Sequence, residues 1–265
     1  MKRYLFSYTT EKLIPYIDWN YFFHAWGIDP RNVKAEEIKR DAEVLLQKAK
    51  HEITVKAIFA LCDAKGVNDC IIVEDTTLPL LRQQHARKGE PNLCLSDFIA
   101  PQGDKIGLFA TAVEEIPHSN DTYEKLLAQT MESRLAEAAA TLLHKEVRTG
   151  KELWGYATDE QLTTEELKTE KNQGIRPTVG YPSLPDQSII FIIDKLLQLQ
   201  EIGITLTPNG AMQPAASVCG IMISHPAAHY FNVGEISEEQ LLDYAKRRGI
   251  KSDNLHKFLY KNLHK

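Results

Sequence analysis

The order in which apolar periodicity changes along this 265-residue chain limits its fold more than any other feature. Val55-Lys56-Ala57-Ile58-Phe59-Ala60-Leu61 and Cys70-Ile71-Ile72-Val73 read as strands, separated by the turn residues Lys65-Gly66 and Asn68-Asp69, and so predict a hairpin. Lys105 to Val113, after the turn Pro101-Gln102-Gly103-Asp104, is a third strand, and Ser217 to Ile223 a fourth. Helical periods fall before, between and after these runs without a βαβ rhythm. Strands joined by hairpins pair antiparallel, so the pattern predicts an α+β domain and not a doubly wound fold. No linker and no internal repeat divides the chain.

The helical periods are well marked. Asp18 is an N-cap for Trp19, Phe22, Phe23 and Trp26 at helical spacing. Ala35 to Lys50 is amphipathic, with Ile38, Ala42, Leu45, Leu46 and Ala49 on one face. Residues 121–148 form the longest helix, with Leu126, Leu127, Thr130, Leu135, Ala138, Ala139 and Leu142 as its buried stripe. Thr163-Thr164-Glu165-Glu166 carries a capping box. Ser188 to Leu199 reads as a helix, Ser237 caps another that runs through Arg248, and the C-terminus is helical again.

Gly174-Ile175-Arg176-Pro177-Thr178-Val179-Gly180-Tyr181-Pro182 has a different character. The two prolines fix their own φ and push Arg176 and Tyr181 into extended geometry, while Gly180 can take φ > 0. The segment is therefore a stiff, non-helical ribbon with exposed main-chain groups, one guanidinium and one aromatic face. It suits a ligand with a carboxylate and a flat ring, and it equally suits a plain turn.

Two carboxylates stand in apolar surroundings. Asp18 lies between Ile17 and Trp19, and Glu137 between Leu135 and Ala138 near the apolar side of the long helix. Each has a structural reading: the N-cap for Asp18, and an ion pair with Arg134 or Arg148 for Glu137. Each also has a functional one, accepting from a ligand ammonium.

Other chemistry is limited. No dinucleotide fingerprint, P-loop, H-E-x-x-H or G-x-S-x-G occurs, so no catalytic residue is assigned. His225 and His229 lie four apart with Pro226 between them and no carboxylate or Cys nearby, so no metal site is expected. Cys62, Cys70, Cys94 and Cys219 lack CxxC spacing and read as reduced, packed thiols. A net charge of −5 argues against nucleic acid, and Lys246-Arg247-Arg248 reads as a cationic helix end. With no apolar run of about 18 residues and no signal-peptide core, no membrane span is expected and a cytoplasmic location is.

Several segments in order then resemble one family. They are Tyr16-Ile17-Asp18-Trp19, Leu81-Arg82-Gln83-Gln84, Cys94-Leu95-Ser96-Asp97-Phe98-Ile99-Ala100-Pro101, Arg134-Leu135-Ala136-Glu137-Ala138 and Trp154-Gly155-Tyr156. Gln173-Gly174-Ile175-Arg176-Pro177 with Gly180-Tyr181-Pro182, Ser224-His225-Pro226 and Asp243-Tyr244-Ala245 complete the set. The chain resembles the reactivation, or S-adenosylmethionine-binding, domain of cobalamin-dependent methionine synthase over most of its length. Single motifs of this kind are weak; their shared order and spacing carry the resemblance.

The resemblance implies one C-shaped α+β domain over residues 1–265, a twisted antiparallel sheet flanked by helices. It implies S-adenosylmethionine as ligand, with Arg176 on the methionine carboxylate and Asp18 and Glu137 as acceptors for the ammonium or neighbouring polar groups. Thr178 and Gly180 by their main chain, with the Tyr181 ring, would seat the adenosine, and Tyr230-Phe231 would flank the ligand. It further implies a reactivation subunit of a methyltransferase, inactive alone. That subunit would dock over cob(II)alamin on a cobalamin-binding methionine synthase partner, receive an electron from a flavodoxin-like or other reductase, and supply the methyl group from S-adenosylmethionine. No segment resembles the cobalamin-binding D-x-H-x-x-G run, so the expectation is a split enzyme with the cofactor on a partner chain. Two alternatives remain open from sequence: a reactivator of another corrinoid protein, and a non-catalytic S-adenosylmethionine-binding protein.

Overall fold

A computed structural model describes residues 1–50 and 52–263. In chain order the elements begin with β1 (Lys2–Thr9), α1 (Thr10–Leu13), α2 (Trp19–Ala25), α3 (Val33–Ala49), β2 (Thr54–Val67), β3 (Cys70–Val73), β4 (Thr76–Pro79) and β5 (Asp104–Val113). They continue with α4 (Thr122–Thr149), α5 (Thr164–Lys168), α6 (Ile190–Leu197), β6 (Thr205–Leu206), β7 (Met212–Gln213), β8 (Ser217–Met222), α7 (Glu238–Arg248) and α8 (Ser252–Leu259). No helix among the described residues is long and apolar enough to cross a membrane.

The main sheet has the order β4-β3-β2-β5-β8, and every pairing in it is antiparallel. β2 is its axis. One side pairs with β5 from Val55↔Val113 to Ala64↔Asp104, and the other is shared end to end by β1 and β3. The small β6–β7 ribbon stands apart. The expected α+β class, with a twisted antiparallel sheet flanked by helices, is the observed one.

Both faces of this sheet are covered, because successive strand residues point to opposite sides. Ala57, Phe59, Phe109, Val113 and Met222 join one core with α2, α3 and α4. Ile58, Ala60, Leu108, Ala110 and Ile221 join a second with α6. Double coverage explains why β2 and β5 read as continuous apolar runs instead of alternating ones. A third, smaller core gathers Leu241, Tyr244, Leu255 and Leu259 of α7 and α8.

The caps work as the sequence implies. Asp18 accepts from the backbone N–H of Asn20 and Tyr21, Thr163 with Glu166 forms the capping box, and Ser237 accepts from Gln240. Asp121, read from sequence as the first helical residue, is instead the N-cap of α4 and accepts from Glu124.

Several expectations need correction. The hairpin turn is Asn68-Asp69 alone: β2 runs through Lys65-Gly66, and Asn68 takes φ 51 in the tight two-residue loop. In α4 the buried arc passes through Leu127, Ala128 and Met131, leaving Leu126 exposed and Thr130 half-buried. The run Ser188 to Leu199 begins as a 3-10 turn over Gln187–Ile189 and becomes α-helical only at Ile190. β1 and β4 had no reading as strands. Arg247 and Arg248 are turned inward, Arg247 to Asp243 and the carbonyls of Asp69 and Leu80, Arg248 to Ser188.

The ribbon that begins at Gly174 is laid on the free edge of β8. Ile175 and Ile223 exchange backbone hydrogen bonds of 2.9 Å each, Val179 donates to Cys219 (2.9 Å), and Ile221 donates to Pro177 (3.0 Å). The close approach depends on Gly220, where a Cβ would strike the carbonyl of Pro177. Gly220→Ala is therefore expected to lift the ribbon and to lower stability by ~1–3 kcal/mol, as overpacking does. Urea unfolding of the two proteins measures this, and equal midpoints would contradict it.

Candidate functional site

Helix α4 builds one wall of the site. Arg134, Glu137, Thr141, His144 and Arg148 follow each other at three- and four-residue steps, so they form one stripe along the helix. All five line a cavity of about 430 Å³. Across it lie Arg176, Pro177, Thr178, Tyr181 and Pro182 of the ribbon, closed by Asp18, Tyr230 and the α5 segment with Lys168 and Glu170.

Arg176 sits at the centre, its side chain 19% exposed. Its guanidinium donates to Glu137 Oε2 (3.3 Å) and to Thr141 Oγ1 (3.1 Å), both on α4. Those bonds use two of the five N–H groups that a guanidinium carries. Burial opposes the charge, yet Glu137 and the phenols of Tyr230 and Tyr181 outweigh it and hold the Arg176 pKa above the usual arginine range. Tyr181 donates to Glu137 Oε1 at 2.8 Å, and its own pKa is raised by burial and by that carboxylate.

The two readings of Glu137 are thereby narrowed. It pairs with Arg176 and not with Arg134 or Arg148. Arg134 instead lies over the Tyr21 ring, and Arg148, 1% exposed, pairs with Glu160. Asp18 fulfils its capping reading and also lines the cavity.

The main chain of the ribbon is less free than the sequence suggests. Ile175 and Val179 spend their N–H groups on β8, Arg176 N–H donates to the Tyr230 hydroxyl (3.0 Å), and Tyr181 N–H returns to Thr178. Gly180 has the expected positive φ (84°), but its N–H is committed to Leu184 and it is not among the cavity-lining residues. Thr178, Tyr181, Tyr230 and Phe231 do line the cavity, Phe231 being fixed by two hydrogen bonds between its main chain and the Ser183 hydroxyl.

Some of the family-like segments serve the scaffold instead. Arg82 forks onto Asp97 and also meets Asp69, which ties the Leu81-Arg82-Gln83-Gln84 segment to the Cys94–Asp97 turn away from the cavity. His225 and His229 both pack against Phe98, and no group of three metal-ligating side chains exists among the described residues. Cys94 is buried, which pushes its thiol up to about 11.

Several cavity residues, His144, Arg148 and Glu170 among them, were not read as site residues from sequence. His144 and Arg148 fall on the α4 stripe, and the signal was available: they continue the three- and four-residue steps from Arg134 and Glu137. Glu170 follows the short helix α5 with φ 56, uncommon for a side chain larger than Gly, and burial raises its carboxyl pKa against the opposing pull of Arg176.

The model of the family described as "Vitamin B12 dependent methionine synthase, activation domain" matches residues 9–249 of this chain. Among solved structures, the crystal structure of the MetH reactivation domain bound to AdoHcy is similar, with a TM-score of 0.92 and 33% sequence identity. That match covers 100% of this chain and 91% of the other.

His144 offers a test of the cavity wall. Burial, reinforced by the cations Arg148 and Arg176, holds its pKa well below 6.5, so the folded protein keeps it neutral. The unfolded chain takes up that proton below pH ~6.5, so stability falls as pH drops through this value. The expected slope from this residue is at most about 1.4 kcal/mol per pH unit. Denaturant titrations between pH 7.5 and 5.5 on the natural protein and on His144→Gln should differ by this slope; parallel curves would overturn it.

Proposed function

The chain belongs to the activation-domain family of vitamin B12-dependent methionine synthase, and on that premise we propose that its cavity binds S-adenosylmethionine for methyl transfer to a corrinoid. The observation that carries this reading is Arg176, a buried cation braced from α4 by Glu137 and Thr141, with N–H groups unspent by those two bonds at the edge of a cavity. A volume of about 430 Å³ falls within the range of about 300–1,000 Å³ common for small-molecule sites.

Arg176 would hold the α-carboxylate through paired charge-assisted hydrogen bonds, and Glu137 and Asp18 would accept from the ammonium. Both carboxylates would also favour a positively charged sulfonium. Tyr181, Thr178 and the turn made by Gly180 would seat the adenosine, with Tyr230 and Phe231 beside it. Residues 1–265 are read as one such domain, acting in the cytoplasm beside the cobalamin-binding module of a methionine synthase. Cobalamin on that partner, supplied with one electron by a flavodoxin-like or other reductase, is the methyl acceptor. The residues here orient and enclose, and the proposed role requires no general acid or base from them.

Isothermal titration of S-adenosylmethionine into the natural protein and Arg176→Ala checks the assignment. Loss of ~2–3 kcal/mol of binding free energy is expected, the usual cost of removing a charged hydrogen-bond partner. Equal affinities would sink the role given to Arg176. Mixing with a cobalamin-carrying methionine synthase module should then change the cob(II)alamin spectrum; an unchanged spectrum would leave a binding protein only.

A further inference from the structure

The ladder to β8 fixes the ribbon against the sheet, but Glu137 and Thr141 reach Arg176 from α4. The height of the guanidinium in the cavity therefore depends on the spacing between ribbon and helix, which the ladder and the packing of α4 on the sheet set only in part. Two part-buried links span that gap, and both start on the α4 stripe.

The first begins at His144, whose Nε2 lies 2.9 Å from the Tyr156 hydroxyl. That hydroxyl sits against Gly174, where a Cβ would come within 2.9 Å of it. The Tyr156 ring is itself held edge-on by Trp154, centroids 4.8 Å apart. The second begins at Arg148, which donates through Nε and Nη2 to Glu160 Oε2 at 2.9 and 2.5 Å. The other oxygen of Glu160 accepts the backbone N–H of Gln173 at 3.1 Å. The helix is thus linked to Gln173 and Gly174, three and two residues before Arg176.

We propose that His144–Tyr156 and Arg148–Glu160 are positioning pairs, which hold the ribbon at the distance from α4 that sets the Arg176 guanidinium for a ligand carboxylate. The sequence segment Trp154-Gly155-Tyr156 thereby acquires a role outside the cavity lining. His144 and Arg148 also line the cavity, but Tyr156 and Glu160 do not, and the pairs act through Gln173 and Gly174. The inference rests on Arg176 as the carboxylate-binding residue, and its test separates the two ideas.

The test compares S-adenosylmethionine with its decarboxylated analogue by titration calorimetry on the natural protein, Tyr156→Phe and Glu160→Gln. Tyr156→Phe removes one oxygen, and Glu160→Gln keeps the shape and an acceptor for Gln173. The natural protein should prefer the carboxylated ligand. Each variant should lose about tenfold of that preference, the size of one weakened charged hydrogen bond, with affinity for the analogue unchanged. A preference left intact would overturn the positioning role, as would equal weakening of both ligands, which a scaffold defect produces. Absence of preference in the natural protein would instead overturn the role of Arg176, and the positioning role with it. Circular dichroism melts identify any variant that fails to fold, and the other then decides.

Discussion

The antiparallel ladder between residues 175–179 and the edge of β8 is the constraint on which the rest of the site depends. It places a segment containing proline against a sheet as though it were another strand, with Pro177 contributing its carbonyl and no N–H being demanded of it. Alternation then divides the segment. Ile175, Pro177 and Val179 hydrogen-bond to β8 and Ile223, while Arg176 and Thr178 face the cavity, which Pro177 also lines. Gly220 allows the contact because a side chain there would occupy the place of the Pro177 carbonyl.

From that arrangement follows the electrostatic character of the cavity. Arg176 is taken out of water, a cost that only close opposite charge and hydrogen bonding can offset. Glu137 provides the charge and Thr141 a further acceptor, and both are placed by the rise of one helix. Lower on the same stripe, Arg148 and Glu160 form a second buried pair, with neutral His144 between the two cations. Under the proposed reading, a zwitterionic ligand would meet a cation and a carboxylate already held in register, so little reorganisation would accompany binding.

The elements remote from the cavity stabilise its walls. The sheet, buried on both faces, fixes β8, and α7 is stapled to the body by Tyr244 bonding Asp186 and by Arg248 bonding Ser188. Asp186 in turn caps the 3-10 turn that begins at Gln187, whose amide lies beside Gly180. The cationic end of α7 is therefore an internal fastening as well as a complement to the helix dipole.

Much of this was legible in the chain. Periodicity and turn residues gave the hairpin, β5, β8 and most helices, and caps such as Asp18, Thr163 and Ser237 depend on side-chain chemistry within four residues. The stiffness of the ribbon followed from Pro177, Pro182 and Gly180 for the same reason: φ limits are local. What needed tertiary structure were the partners. Glu137 could have met Arg134 or Arg148, and only the docking of the ribbon on β8 brought Arg176 to it, 39 residues away. β1 did carry a local signal, the alternating Tyr4, Phe6 and Tyr8 that meet the core, whereas Arg148 needs Glu160 from a loop to be tolerated in the interior. Local sterics and capping are written in neighbouring residues; burial and charge pairing are set by which distant segments the sheet and the long helix bring together.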